Sequence, residues 1–139
     1  MIKKKKRIKR VGVLALCLIM LMTTGIIANA ATYENTFSFT LESGGGKSST
    51  SSRTKTNTKN YAAIDFTTYS NKSSYGLCFR LRSGTNDTAA SNLYTLSAKG
   101  LRCPSYSSGY GQKNFPYYFR IQTDSNSAYS AKVAGSWRP

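Results

Sequence analysis

The chain has 139 residues, of which 20 are Lys or Arg and 5 are Asp or Glu, and it contains no histidine. A formal net charge of +15 favours anionic partners. The lack of histidine removes the side chain most often used as a general base or metal ligand, so the composition argues against most acid/base enzymes and against metal sites.

The first thirty residues have the layout of a secretory signal peptide. Seven basic residues lie within the first ten and precede an apolar run, which ends at Ala28-Asn29-Ala30. Small residues at Ala28 and Ala30 fit signal peptidase, so we predict a helical signal over residues 1–30, cleavage before Ala31, and release outside the cell. An uncleaved anchor is the alternative, but only Val11–Met22, twelve residues, is continuously apolar, and this is short for a membrane span.

The predicted mature chain, residues 31–139, has the size of a single small domain, with 109 residues. It keeps 13 basic residues and all 5 carboxylates, so its net charge is +8. Outside a cell such a surplus favours wall polymers, lipid headgroups and acidic polysaccharides over nucleic acid. Alternatively, the charge only keeps the protein soluble. We expect contact with a membrane only through the signal peptide during export, and the oligomeric state stays open.

Apolar and polar residues alternate over most of the mature chain, and no segment keeps a period of 3.6. The predicted strands, in chain order, are residues 32–41, 61–69, 75–81, 93–98, 115–121 and 128–137. We therefore predict an all-β fold, a small antiparallel sandwich of about six strands. The second and third strands are predicted to pair as a hairpin around the turn 71–74. Residues 42–60, rich in Gly, Ser and Thr and without an apolar residue, are predicted to be a flexible loop.

Two further residue types carry structural predictions. Cys78 and Cys103 remain in the mature chain, 25 positions apart, and in an oxidising compartment they are expected to form one disulfide worth roughly 3 to 4 kcal/mol in the chain-entropy model. Cys78 falls on the polar face of its strand beside Arg80, so this bridge would need an outer face or a strand covered on both sides. Pro116 lacks an amide proton, which predicts that the most apolar strand begins at a sheet edge.

Tyrosine marks the candidate ligand site. Flat amphipathic rings stack on sugars, and neighbouring cations meet carboxylates or phosphates. The candidate binding residues, within a stretch of fifteen, are Tyr106, Tyr110, Lys113, Tyr117, Tyr118 and Arg120. The competing and favoured interpretation is that these tyrosines are ordinary strand residues, with one buried edge and one wet hydroxyl.

No catalytic constellation is readable in the chain. Acid/base chemistry would have to use carboxylates, and nothing in the sequence indicates that any two are paired. The carboxylates are Glu34, Glu42, Asp65, Asp87 and Asp124. We therefore predict no catalytic residue, no metal and no cofactor, and we keep a carboxylate-dependent hydrolase as the weakest hypothesis.

The two ends of the mature chain carry a resemblance. Glu34-Asn35-Thr36-Phe37-Ser38-Phe39 and Gly135-Ser136-Trp137-Arg138-Pro139 resemble an uncharacterised family of small secreted Gram-positive proteins found near bacteriocin-type export genes. In that family an early Phe-x-Phe strand and a closing Gly-x-Trp-x-Pro recur. The overall plan is also distantly similar to lactococcin-like bacteriocins, which are secreted β-sandwich proteins acting on cell-wall synthesis. The resemblance implies an extracellular role and, in one form, antagonism of other cells.

Two hypotheses of function lead. The first is a secreted cationic protein that binds a cell-envelope component, in one form as a bacteriocin-like antagonist. The second is a structural or adhesive extracellular module without catalysis, suggested by the long Ser and Thr segment and the missing catalytic groups.

Overall fold

The structure is a computed structural model, and it describes residues 35–139. The predicted signal peptide, its cleavage residues Ala28, Ala30 and Ala31, and Glu34 lie outside the described residues. The strands are β1 Asn35–Leu41, β2 Lys47–Ser49, β3 Arg53–Thr54, β4 Ala63–Asn71, β5 Leu77–Ser83, β6 Tyr94–Leu96, β7 Gly100–Arg102, β8 Pro116–Gln122 and β9 Ala131–Arg138. Within residues 35–139 no helix has the length and apolarity needed to cross a membrane.

The strands form two antiparallel sheets. The four-stranded sheet has the order β1-β9-β4-β7, and the five-stranded sheet has the order β2-β8-β5-β6, with β3 also paired to β8. The prediction of an all-β fold built from antiparallel sheets is confirmed, with nine strands in place of about six. The difference lies mainly in strands of two or three residues, which are too short to show an alternating pattern.

Aromatic side chains from both sheets meet in one core. The Phe37 ring from β1 lies 4.9 Å from the Phe119 ring of β8, edge to face, and the Phe66 ring of β4 lies 5.5 Å from the Phe79 ring of β5. Such pairs each contribute about 0.5–1.5 kcal/mol beyond the area that they bury. Along β5 and β8 every second side chain is buried, so the intervening side chains form the outer face of the five-stranded sheet.

The two segments that carry the family resemblance are neighbours in the four-stranded sheet. β1 pairs with β9 along its whole length, so that Phe37 lies opposite Gly135. A Cβ on Gly135 would lie 1.8 Å from the carbonyl oxygen of Asp65, so only glycine lets β4 approach so closely. Trp137 is buried, with its ring 5.7 Å from Phe119. Within this structure both segments therefore have a packing role.

The predicted hairpin of residues 61–69 and 75–81 is wrong. β4 belongs to the four-stranded sheet and β5 to the five-stranded sheet, so the connection crosses the sandwich. The Asn71 side chain holds this crossing by donating a hydrogen bond to the Tyr75 carbonyl oxygen at 2.7 Å. The alternation of apolar and polar residues shows which face of a strand is buried. A strand buries that face equally well whether it pairs with the preceding strand in a hairpin or lies in the opposite sheet.

Residues 42–60 were predicted as a loop, yet they contain β2 and β3, both of which pair with β8. These strands contribute backbone hydrogen bonds and polar side chains, so no alternation of apolar residues predicts them. Their pairing also places β8 inside the sheet, which makes the predicted edge position of Pro116 wrong. Pro116 is tolerated there because it is the first residue of the strand, where its carbonyl oxygen accepts a hydrogen bond from the Gly84 amide at 2.9 Å.

The predicted disulfide between Cys78 and Cys103 is not formed, and both cysteines are free. Cys78 lies on the outer face of β5, in the five-stranded sheet. Cys103 is exposed and directly follows β7, in the four-stranded sheet. The two thiols therefore belong to different sheets, which the even number of cysteines in the mature sequence does not reveal.

Candidate anion-binding face

The predicted tyrosine cluster is divided between the core and the surface. Tyr106 and Tyr117 are 4% and 2% exposed, and their ring centroids lie 4.7 Å apart. The Tyr117 hydroxyl accepts hydrogen bonds from the backbone amides of Gly111 and Gln112, at 2.9 and 3.2 Å. These two tyrosines are core residues and expose little surface to a ligand. A strand places every second ring inward, and tyrosine is compatible with either face.

The other four candidates remain at or near the surface. Tyr118 and Arg120 project from the outer face of β8. Tyr110 is half-buried, and its hydroxyl lies 3.0 Å from Thr88 Oγ1, in the loop that approaches this face. Lys113 is exposed in the loop before β8, and no hydrogen bond or ion pair in the described part of the chain connects it to the other candidates.

The outer face of the five-stranded sheet gathers cations from three strands. Arg80 of β5 lies directly opposite Arg120 of β8, while Arg82 lies opposite Tyr118. β2 brings Lys47 opposite Gln122 on the other side of β8. We call this surface the arginine face, and its members are Lys47, Cys78, Arg80, Arg82, Tyr118, Arg120 and Gln122.

One carboxylate compensates part of this charge. Asp87 Oδ1 accepts a hydrogen bond from Arg82 Nε at 2.6 Å and lies 3.3 Å from Arg120 Nη2, and the Tyr118 hydroxyl also donates to it. The hydrogen bond from Arg82, together with the nearby charge of Arg120, lowers the pKa of the Asp87 carboxyl. Asp87 has φ +54°, a left-handed conformation that Asp tolerates better than most residues and that turns the loop toward the sheet.

In the other part of the arginine face the cations have no ion-pair partner among the described residues, although the charge of Asp124 reaches Cys78 there. The side chains of Arg80 and Lys47 make no hydrogen bond or ion pair with any residue that the structure describes. Like charges directly opposite each other on a sheet are unfavourable, and Asp87 offsets this for Arg120 but makes no ion pair with Arg80. A shallow, open depression of about 160 Å³ lies here, and it is lined by Lys47, Cys78, Arg80, Arg82, Leu93, Arg120 and Gln122.

One thiol, Cys78, lies on this face, and Asp65 lies on the other sheet. Burial, and secondarily the charge of Asp124, raises the pKa of the Cys78 thiol, which disfavours the nucleophilic thiolate despite the neighbouring cations. Asp65 projects from the outer face of the four-stranded sheet, away from Asp87. Among residues 35–139 no group of three or more His, Cys, Asp or Glu side chains is placed to hold a metal ion.

A buried lysine is a second feature that the sequence did not reveal. Lys55 is fully buried, donates a hydrogen bond from Nζ to Asn57 Oδ1 at 2.7 Å, and lies 5.2 Å from the Tyr106 ring centroid. Burial, followed by repulsion from Lys59, lowers the pKa of Lys55. Its hydrogen bond to Asn57 and its contact with the Tyr106 ring give Lys55 a packing role.

Lys47, Arg80 and Arg82 were missing from the candidate residues. The spacing of Arg80 and Arg82 does place them on one face of a strand, and that signal was available in the sequence. Their relation to Arg120 depends on β5 lying beside β8, which no local pattern specifies. Lys47 was hidden in the segment predicted as a loop.

Comparison of the chain with models of known protein families, with curated proteins and with solved structures finds no match.

Proposed function

We propose that this is a secreted cationic protein that binds an acidic polymer of the cell envelope through the arginine face. The observation that carries the proposal is that Arg80 has no counter-ion among the described residues. Its guanidinium group belongs to the residue directly opposite Arg120. Asp87 already pairs with Arg120, so a bound anion would neutralise the remaining charge of Arg80. The export signal predicted at the N-terminus places the envelope within reach.

The charge distribution supports a polymeric ligand over a single small anion. Strands in a sheet lie about 4.8 Å apart, so the cations from Lys47 on β2 to Arg80 on β5 span roughly 10 Å. A chain of repeated negative charges can neutralise several of these cations at once, and each released counter-ion adds to the affinity. Binding of this kind weakens as salt increases, since exposed charges are screened within about 8 Å at physiological ionic strength.

A structural or adhesive module is the second candidate. It is favoured by an exposed apolar residue, Leu101, which is 60% exposed on the four-stranded sheet. Leu101 lines a separate depression of about 230 Å³ together with Asp65 and Arg138. Contacts of an adhesive module would use this sheet and would tolerate loss of the arginine face. Antagonism of other cells would require envelope binding and, in addition, growth inhibition by the pure protein.

Co-sedimentation of the purified protein with isolated Gram-positive cell walls, over a series of salt concentrations, tests the proposal. The double variant Lys47→Gln/Arg80→Gln removes two cations that have no partner in the described chain, so its fold is expected to persist. The double variant Lys72→Gln/Lys132→Gln is the matched control, because it removes the same charge from exposed positions outside both the arginine face and the depression around Leu101.

We expect the wild-type protein and the control to sediment with the walls at physiological salt, and the arginine-face variant to stay in solution. Equal loss in both variants would mean that net charge alone attaches the protein. If both variants still sedimented with the walls, the adhesive module would be favoured.

A further inference from the structure

The arginine face already holds one oxyanion, the carboxylate of Asp87. It is bound between Arg82 and Arg120 and receives the Tyr118 hydroxyl as well. This arrangement shows how the surface binds oxygen anions: donors from β5 and β8 converge on one group from two sides. Arg82 additionally donates to the Asp87 carbonyl oxygen, so two of its nitrogens are already engaged by this residue.

A second set of donors lies two residues along β5 and β8 from Arg82 and Tyr118, and much of it is unpaired within the described residues. Arg120 Nε donates to Ser49 at 3.0 Å and its Nη2 contacts Asp87 and Tyr118, while its Nη1 makes no hydrogen bond to a described residue. Arg80, opposite Arg120, has all five of its N–H donors free within residues 35–139. Lys47 and Gln122 face this gap from the third strand and from β8.

The directions of these donors favour a phosphate group. A carboxylate accepts best from donors near its own plane, and the Asp87 carboxylate already takes its donors from Arg82, Arg120 and Tyr118. The unpaired donors belong to side chains on three strands, and the two charged oxygens of a phosphodiester, set around a tetrahedral phosphorus, can accept from donors that do not share one plane. Leu93, 51% exposed, adds an apolar wall to the same depression, which suits the carbon linker between phosphates.

We infer that the gap between Lys47, Arg80 and Arg120 is a phosphate subsite, and that the envelope polymer it recognises is joined by phosphodiester links. The inference rests on the proposed function, because it assigns the ligand chemistry of the same face. The polymer is a better fit than a phospholipid headgroup, since the cations spread over roughly 10 Å across three strands, where successive phosphates of one chain can reach them.

Competition against wall binding tests the inference. The purified protein is bound to isolated cell walls, and soluble poly(glycerol phosphate) or polyglutamate is added at equal charge concentration and equal ionic strength. We expect poly(glycerol phosphate) to displace the protein at a concentration at least about tenfold lower than polyglutamate does, a difference of about 1.4 kcal/mol. The variant Arg80→Gln should lose this preference, and Lys132→Gln should keep it.

The possible outcomes separate the two proposals. If the protein binds walls but both polymers displace it equally, or polyglutamate displaces it better, the phosphate subsite is refuted while envelope binding stands. If the protein does not bind walls at all, the proposed function fails. A third arm uses phosphatidylglycerol vesicles: binding to them that equals binding to the polymer, and that depends on Arg80, would overturn the choice of a polymer over a lipid.

Discussion

The substitution Tyr106→Phe should stabilise the protein. The Tyr106 hydroxyl is buried and has no hydrogen-bond partner among the described residues. A buried polar group without a partner costs about 1–3 kcal/mol, whereas the aromatic ring contributes its packing with or without the oxygen. We therefore expect Tyr106→Phe to increase the free energy of unfolding by about 1 kcal/mol.

Tyr117→Phe is the matched control, because it removes the same atom from the ring 4.7 Å away. The Tyr117 hydroxyl accepts from the amides of Gly111 and Gln112 at 2.9 and 3.2 Å, so its loss leaves two amides without their partner. This should lower the free energy of unfolding by about 1–2 kcal/mol. One deleted oxygen thus has opposite effects at two neighbouring rings, which places the variants about 2–3 kcal/mol apart.

Urea unfolding followed by the fluorescence of buried Trp137 gives both values. The slope of the free energy against urea should stay unchanged, so the midpoints should move in opposite directions. A Tyr106→Phe variant that loses as much stability as Tyr117→Phe would refute the reasoning, since it would mean that the Tyr106 hydroxyl has a partner. Because the rings touch, the double variant need not be additive.

Three other predictions concern charges and thiols. Asp87→Asn removes the one carboxylate of the arginine face, so binding to cell walls should become tighter at low salt and fall more steeply as salt increases, which the co-sedimentation series measures. The unfolded chain holds the Lys55 proton more tightly than the folded protein, so the contribution of Lys55 to stability should rise with pH between its folded pKa and 10.5; urea unfolding at several pH values should show a steeper rise, or a smaller fall, for the wild-type protein than for Lys55→Met. A thiol reagent should label Cys103 quickly and Cys78 slowly without prior reduction, whereas failure to label either would indicate the disulfide.

The faces of the long strands could be predicted from the sequence, but their neighbours could not. Leu77, Phe79 and Leu81 alternate with arginines, and the structure buries all three as expected. The partner of this strand, β8, lies 33 or more residues further along the chain, and alternation carries no information about such pairing. β2 and β3 were missed because they contribute backbone pairing and bury little apolar surface.

The candidate site was predicted in part for the same reason. Tyr118 and Arg120 alternate with buried Phe119, and the structure places both on the outer face of β8. Tyr106 and Tyr117 were selected by residue type, which does not distinguish a buried ring from an exposed one. The placement of Asp87 depends on a loop with a left-handed residue, and only the folded chain shows which cations it reaches.

The most direct test of the central claim is a nuclear magnetic resonance titration of the isotope-labelled protein with solubilised cell-wall polymer. The account predicts that shifted amide and side-chain signals cluster on the outer face of β2, β5 and β8, with Arg80 and Arg120 among the largest changes. Changes concentrated instead around Leu101 and Arg138, on the four-stranded sheet, would contradict it.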